Sequence, residues 1–429
     1  MRTEPRGIRL SRLSVLLVAV TCAPRAASPQ GGEPLGTEFR VNTYTTLNQV
    51  YPSVATDSAG NFVVVWHSQY QDGDGSFGIF GQRFSSSGMP LGSEFRVNTY
   101  TTNSQLYPSI ASDPSGDFVV TWQSAAQDGS SFGIFGQRFA NSGMPVGPEF
   151  RVNSFTSGYQ QDPSVAMEPG TFVVVWNDQS QDGSGAGIFG QRYAASGAPL
   201  GPEFRVNSHT TDLQADPSVV AAAGHFVVVW HSRNQDGSTW GVFGQRYDIT
   251  GTPLGDEFRV NTSTSDAQTF PTVASDAESN FVVTWASGGL YGGNPPSDVF
   301  GQRYSTTGEP LGSEFRVNTY TTDRQFAAAI ASDPTGDFVI VWHSLEQDGS
   351  FGGIFGQRYA GSGEPLGPEF RVNSHTPTSQ YGPAVTADSS GNFVVIWQSA
   401  FDQDGSEGGV FGQRFGRIVP VELMRFRVE

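Results

Sequence analysis

Residues 62–98 carry the pattern that decides the fold: FVVVWHSQYQDGDGSFGIFGQRFSSSGMPLGSEFRVN. Versions of it recur seven times, and the tryptophan that ends the first apolar run returns every 54 to 57 residues. These tryptophans are Trp66, Trp122, Trp176, Trp230, Trp285, Trp342 and Trp397. A fixed period of this length indicates a repeat protein in which each unit is one small sheet or helical hairpin.

Each unit predicts four short strands, which in the first unit are Pro52–Thr56, Phe62–Ser68, Gly78–Phe84 and Glu94–Asn98. Turn residues separate them. The second strand is apolar on both faces, as in a strand covered on both sides by neighbouring sheets. The fourth alternates apolar and polar residues, which is typical of a half-exposed outer strand. The unit therefore resembles a propeller blade viewed from axis to rim.

The phase of the repeat predicts a closed ring. The chain enters on an outer strand, Phe39–Asn42, and its seventh third strand is Phe411–Phe415. The N-terminal strand can complete the last blade and so remove an exposed sheet edge. Phe426–Glu429 resembles the same strand and is a second candidate for closure. We predict an all-β fold, a seven-bladed β-propeller of four-stranded antiparallel blades. A solenoid and a row of separate units remain as alternatives.

Composition restricts the partners. The chain has 53 glycines and 26 prolines, suiting many tight turns, and its 24 basic residues are all arginine. The formal charge of −17 disfavours nucleic acid and anionic lipid headgroups and is compatible with cation binding.

The N-terminus resembles an export signal. Four arginines precede the apolar run 13–20, which is too short to span a bilayer. We expect a signal peptide and short linker over residues 1–30, the propeller over 31–416, and a tail or extra closing strand over 417–429. Secretion or surface display is favoured, without a membrane span. Cys22 offers lipid anchoring as the alternative, although Thr21 before it departs from a lipoprotein signal.

The repeated unit reads FVVVW, QDGS, GIFGQR, PLG and EFRVN, in that order. It resembles a repeat found in large secreted and surface proteins of bacteria. The resemblance covers residues 33–415. It implies export and a propeller-like array, and it implies no activity.

Some repeat-wide residues have a structural explanation in every unit. A glutamine precedes the first strand's proline by three positions, as Gln49 does, and FGQR ends in an arginine, as Arg83 does. Hairpin pairing predicts an ion pair between Arg83 and Glu94. Seven identical copies suit a ring that holds its blades together, whereas catalysis needs one asymmetric constellation.

The QDG aspartates lie in the predicted loop between the second and third strands. They are Asp72, Asp128, Asp182, Asp236, Asp348 and Asp404. Calcium prefers several oxygen ligands in a glycine-rich loop, so a calcium site at Asp72 and Asp74, the only copy with two carboxylates, is one hypothesis. An ordinary Asp-Gly turn is the favoured one.

Three histidines follow the repeated tryptophan: His67, His231 and His343. A metal or acid–base site on one propeller face is one interpretation. Glutamine or asparagine fills the same position in other units, which favours polar capping of a strand end. The sequence contains no recognisable catalytic motif.

Departures from the repeat are candidate ligand contacts. In the fifth unit residues 288–296 replace QDGS, and Tyr291 lies there; Trp240 lies in the preceding unit beside Asp236. Aromatic rings beside carboxylates suit sugar or peptide capture, so we predict ligand binding at Trp240, Tyr291 and Asp236. Neutral variation of an exposed loop is the alternative.

We therefore predict a secreted or surface-displayed propeller that is a binding or structural module for an unidentified polysaccharide or protein. The alternative is a polysaccharide hydrolase or lyase with its site on one propeller face. Asp72 and Asp74 are too close in sequence to flank a glycosidic bond from opposite sides. No catalytic residue is assigned.

Overall fold

The computed structural model describes residues 33–73, 75–289, 296–401 and 403–417. These residues form seven four-stranded antiparallel sheets, arranged as the blades of a β-propeller. The predicted fold is confirmed. The expected signal peptide over residues 1–30 lies outside the described residues.

Each blade contributes one strand at each distance from the axis. The first and innermost strands are β2 (Gln49–Thr56), β6 (Gln105–Ser112), β10 (Gln160–Glu168), β14 (Gln214–Ala222), β18 (Ala267–Ser275), β22 (Gln325–Ser332) and β26 (Gln380–Ala387). The second strands are β3 (Phe62–Gln69), β7 (Phe118–Ala125), β11 (Thr171–Asp178), β15 (His225–Arg233), β19 (Phe281–Gly288), β23 (Phe338–Ser344) and β27 (Phe393–Ala400). The third strands are β4 (Phe77–Phe84), β8 (Phe132–Phe139), β12 (Gly187–Ala194), β16 (Trp240–Asp248), β20 (Asp298–Tyr304), β24 (Gly353–Tyr359) and β28 (Gly408–Phe415). The outer strands are β1 (Phe39–Arg40), β5 (Phe95–Arg96), β9 (Phe150–Arg151), β13 (Phe204–Arg205), β17 (Phe258–Arg259), β21 (Phe315–Arg316) and β25 (Phe370–Arg371).

The N-terminal strand closes the ring. β1 pairs with β28, so the seventh blade has the order β1-β28-β27-β26. The innermost strands contact one another in sequence around the axis, and β26 contacts β2. The competing closing segment, Phe426–Glu429, lies outside the described residues.

The core lies between the blades. The seven repeated tryptophans are fully buried. A cluster at the closing seam joins Trp66 and Phe62 of the first blade to Val394 and Ile396 of the seventh. The aromatic ring of Phe39, on β1, lies 5.5 Å from that of Phe84, so the N-terminal strand contributes apolar contacts as well as backbone pairing.

The innermost strands begin earlier than the sequence predicted and contain a bulge. In β2 the register runs from Val50 opposite His67 to Ser53 opposite Val65, so Tyr51 and Pro52 together oppose Trp66. Proline lacks an amide hydrogen and fits the position that a bulge leaves unpaired. The sequence predicts that the strand starts at this proline, whereas in the structure the proline lies in the bulge inside the strand.

Successive antiparallel strands direct the loops alternately to two faces. We call the face bearing the loops between second and third strands, and between one blade's outer strand and the next blade's first strand, the upper face. The other is the lower face. Among the described residues, no helix has the length and apolar character needed to cross a membrane.

Candidate binding site at the mouth of the central channel

The recurrent polar residues form a network within and between blades. Asn98 is 1% exposed, and its Oδ1 accepts a hydrogen bond from the Ile79 amide at 2.7 Å. Its Nδ2 donates to Oε1 of Gln105 in the next blade at 3.1 Å, and Gln105 is also buried. We predicted Asn98 to be on a half-exposed strand; it is buried because β5 ends at Arg96 and the chain then turns inward.

The predicted ion pair between Arg83 and Glu94 is wrong. Nη1 of Arg83 donates to the carbonyl of Ser142 in the next blade at 2.6 Å. Oε2 of Glu94 accepts from the amide and the hydroxyl of Thr43, which precedes the first blade's innermost strand, at 2.7 and 2.9 Å. Each side chain extends to a neighbouring segment instead of across its own hairpin, so both residues link successive parts of the ring.

The QDG aspartates form turns. Oδ1 of Asp236 accepts from the amide and hydroxyl of Ser238, and Oδ2 accepts from Nδ2 of Asn261 at 3.1 Å. Its carboxylate also lies over Gly241, where an added Cβ would approach Oδ2 to 2.5 Å. The aspartate and the glycine are therefore a matched pair. These contacts favour the turn interpretation of Asp236, and its predicted role in ligand binding stays a prediction.

The fifth blade, which lacks QDG, keeps this contact by another route. Oδ1 of Asp298, at the start of β20, accepts from Nδ2 of Asn318 at 2.7 Å. Loss of the loop aspartate is thus compensated by an aspartate on the strand.

The calcium hypothesis remains untested. Asp74 lies outside the described residues, and the carboxylate of Asp72 lies over Gly78 as in the other units. No cluster of three or more His, Cys, Asp or Glu side chains suited to a metal occurs in the part of the chain that the structure describes.

In four blades the residue after the tryptophan accepts a hydrogen bond from a backbone amide at the next blade's bulge. Nδ1 of His67 accepts from the amide of Tyr107 at 3.3 Å, and Nδ1 of His231 accepts from the amide of Phe270 at 3.2 Å. Gln123 uses Oε1 in the same way toward Asp162. Burial lowers the pKa of both histidines to about 3, so they are neutral acceptors at physiological pH. Their capping role explains why glutamine can replace histidine.

The bulge residues form a ring around the channel, which we call the axial ring. Its members, one per blade in chain order, are Tyr51, Tyr107, Asp162, Asp216, Phe270, Ala327 and Gly382. All have positive φ, between 51° and 60°. This conformation is uncommon for residues other than glycine, and such strain and bulges often lie at functional sites.

The axial ring departs from the sevenfold symmetry that the network residues obey. Going round it, two tyrosines are followed by two aspartates, a phenylalanine and two small residues. Tyr51 is 48% exposed, Tyr107 36% and Phe270 37%. The rings of Tyr51 and Tyr107 meet edge to face with centroids 4.7 Å apart. Unlike the network residues, these side chains are not required to be the same in every blade, so the ring is a candidate binding site.

The two aspartates lie on neighbouring innermost strands, each partly buried. Burial, together with the neighbouring Asp216 carboxylate, raises the pKa of Asp162 to about 6. Burial likewise raises the pKa of Asp216 to about 6. Nδ2 of Asn177 donates to Oδ2 of Asp162 at 3.0 Å, and Nε2 of His231 lies 3.6 Å from Oδ2 of Asp216. Because His231 is neutral, this contact is not an ion pair.

Trp240 lies close to this ring. Its indole meets the imidazole of His231 edge to face, with centroids 4.6 Å apart, and His231 in turn bonds Phe270. The structure therefore brings Trp240 to the same neighbourhood as Asp216. Tyr291 lies outside the described residues, and its predicted role is untested.

Sequence reasoning missed the axial ring because its members share no residue type. The available signal was positional. The residue directly before the repeated proline varies, whereas the glutamine three positions before that proline is present in every unit. A variable position between repeated residues marks a side chain that the repeat itself does not fix.

The exposed aromatic side chains gather on the upper face. Seven large aromatic residues are exposed among those described, all at bulges or in upper-face loops: Tyr51, Tyr70, Tyr107, Tyr159, Phe270, Phe351 and Phe401. The exposed aliphatic residues lie in the lower-face loops or in the segment preceding β1: Leu35, Met89, Leu91, Met144, Val146, Leu200 and Leu311. The two faces thus have different chemistry, and only the upper one suits stacking on flat ligands.

Neither a protein-family model nor a curated protein sequence matches this chain. Similar solved structures include a protein of unknown function from Dyadobacter fermentans DSM 18053, with 9% identity and a TM-score of 0.54 over 90% of this chain and 99% of that one. Penicillium chrysogenum α-L-arabinanase complexed with arabinobiose has 13% identity and a TM-score of 0.51, over 89% and 99% of the two chains. The β-propeller domain of the Trilobed protease from Pyrococcus furiosus has 9% identity and a TM-score of 0.51, over 90% and 100%. At these identities the likeness shows the fold alone.

Proposed function

We propose that this propeller is a glycan-binding module whose ligand lies across the axial ring on the upper face. The observation that carries the proposal is the asymmetric combination of half-exposed Tyr51, Tyr107 and Phe270 with Asp162 and Asp216. Aromatic rings stack on the apolar face of a sugar, and carboxylates accept hydrogen bonds from its hydroxyls. A propeller of the same fold, the Penicillium arabinanase, is known in complex with arabinobiose.

A glycan array tests this proposal. The wild-type protein should give one or more hits, and a variant carrying Tyr51→Ala, Tyr107→Ala and Phe270→Ala should lose them. The ring already accommodates Ala327 and Gly382, so these substitutions are compatible with the fold. A matched control removes three exposed aromatic side chains elsewhere on the upper face, with Tyr70→Ala, Tyr159→Ala and Phe351→Ala.

The two variants separate the possible outcomes. Loss of binding in the ring variant with retention in the control supports the proposal. Loss in the control with retention in the ring variant would place the site in the loops, and an array without any hit would remove the support for glycan binding.

A polysaccharide hydrolase is the second candidate, and the neighbouring carboxylates of Asp162 and Asp216 favour it. With each pKa raised to about 6, the pair can hold a single proton near that pH, as an acid and a base acting together require. Release of reducing ends from a bound polysaccharide, abolished in both Asp162→Asn and Asp216→Asn, would establish this activity. Binding without any release would leave the module interpretation.

A further inference from the structure

Among the described residues, no arginine forms an ion pair with the acidic side of the axial ring, that is, with Asp162 or Asp216. His231 beside Asp216 is neutral. Carboxylates held partly out of water are costly unless paired, so a ligand that brings a positive charge gains more here than on an open surface.

Asn177 positions one of the two acids. It is 6% exposed and donates through Nδ2 to Oδ2 of Asp162, while its own Oδ1 is buried out of reach of a ligand. A protonated primary amine has three N–H donors and can bond both carboxylates at once.

Aromatic side chains flank the acids on both sides. Around the ring the order is Tyr107, Asp162, Asp216 and Phe270, and Tyr51 packs on Tyr107. Aromatic faces attract cations and also stack on sugar rings. An ammonium group carried directly on a sugar ring would use both features, because the amine lies over the acids while adjoining sugars lie over the flanking rings.

We propose that the axial ring selects glycans that carry free amino groups, using Asp162 and Asp216 for the ammonium and Tyr107 and Phe270 for the sugar rings. This inference rests on the proposed glycan-binding function and adds the chemical class of its ligand. A divalent metal is a poorer occupant, since Asp162, Asp216 and the nearby His231 do not come together as a metal-binding group in the part of the chain that the structure describes.

Titration calorimetry at pH 7 with two hexasaccharides tests the inference. One is the hexamer of glucosamine, and the other is the hexamer of N-acetylglucosamine, in which the amines are neutral amides. We expect at least tenfold tighter binding of the glucosamine hexamer. Asp162→Asn and Asp216→Asn, which keep the side-chain shape, should reduce this preference to less than threefold.

Asp256→Asn is the matched control. Asp256 is exposed in the turn before β17 on the lower face, so its substitution removes the same charge away from the ring, and the preference should stay tenfold. If the preference for the glucosamine hexamer falls equally in all three variants, long-range attraction by the acidic protein accounts for the preference, and the inference is overturned.

The remaining outcomes distinguish this inference from the proposed function. Equal affinity for the two hexamers, with loss of both on Tyr107→Ala, would refute the amine selectivity and keep the glycan site. Binding of a lysine-containing peptide at the ring, with neither hexamer bound, would refute both proposals.

Discussion

Oε2 of Glu38 accepts hydrogen bonds from the amide and the hydroxyl of Ser374, both at 2.7 Å, although 336 residues separate them in the chain. Glu38 precedes β1, and Ser374 follows the sixth blade's outer strand. The contact repeats the one between Glu149 and Thr99, which joins the second blade to the first. The N-terminal segment therefore uses the same polar link as the other blade boundaries, in addition to the pairing of β1 with β28.

Glu38→Ala should destabilise the protein about as much as Glu149→Ala, by roughly 1–3 kcal/mol, because each removes hydrogen bonds to a charged acceptor at a blade boundary. Urea unfolding of both variants provides the measurement. If Glu38→Ala left the free energy of unfolding unchanged while Glu149→Ala lowered it, the N-terminal segment would not be the closing strand.

The neutral histidine after the tryptophan predicts sensitivity to acid. The pKa of His67 is lowered to about 3 in the folded protein from an ordinary 6.5, so below pH 6.5 the unfolded chain binds more protons. Stability then falls as the pH drops from 6.5 toward 3, by up to about 1.4 kcal/mol per pH unit from this residue. His67→Gln should reduce this loss, since Gln123 accepts the equivalent hydrogen bond in the second blade. An unchanged dependence of stability on pH in the variant would contradict the burial of a neutral imidazole.

Asp162 has the opposite pH dependence. Its pKa is about 6 in the folded protein, above the ordinary 3.8, so its contribution to stability is fully present below about pH 4 and is lost as the pH rises through 6. Asp162→Asn should raise the free energy of unfolding by about 1 kcal/mol at pH 7, allowing for partial exposure, and by nothing at pH 4. Urea unfolding at both pH values measures this. If the free energy of unfolding rose equally at both pH values, the charge of the carboxylate would not be the cause of the increase.

The Asx turns of the QDG loops predict that calcium is unnecessary for stability. Serine donors satisfy Oδ1 of Asp128 and of Asp236 without a metal. Addition of calcium or EDTA should leave the melting temperature unchanged within error. A ligand at a hundred times its dissociation constant would add about 2.7 kcal/mol, so a clear rise with calcium would instead support the site at Asp72 and Asp74.

The fold was predictable because every blade repeats the same requirements. Tryptophan at the end of an apolar run, a glycine in the third strand and a short outer strand recur seven times, and the offset start of the repeat indicates closure by β1. The partners of Arg83 and Glu94 were not predictable, because pairing across a hairpin and bonding to a neighbouring segment have the same sequence signature.

The candidate site was less accessible to sequence reasoning. Departures from the repeat pointed to Trp240, which contacts His231 and through it the axial-ring residue Phe270. It missed Tyr107, Asp162 and Asp216, because their proximity depends on bulges that turn one residue of each innermost strand into the channel. A bulge is a local change of register, and here only the following proline marked it.

The most direct test of the account is a crystal structure of the protein with the glycan that binds best on the array. The account predicts the sugar on the upper face, with a ring against Tyr107 or Phe270 and a polar group within hydrogen-bond distance of Asp162 or Asp216. A glycan bound instead at the outer strands, beside Arg96 or its equivalents, would contradict the account.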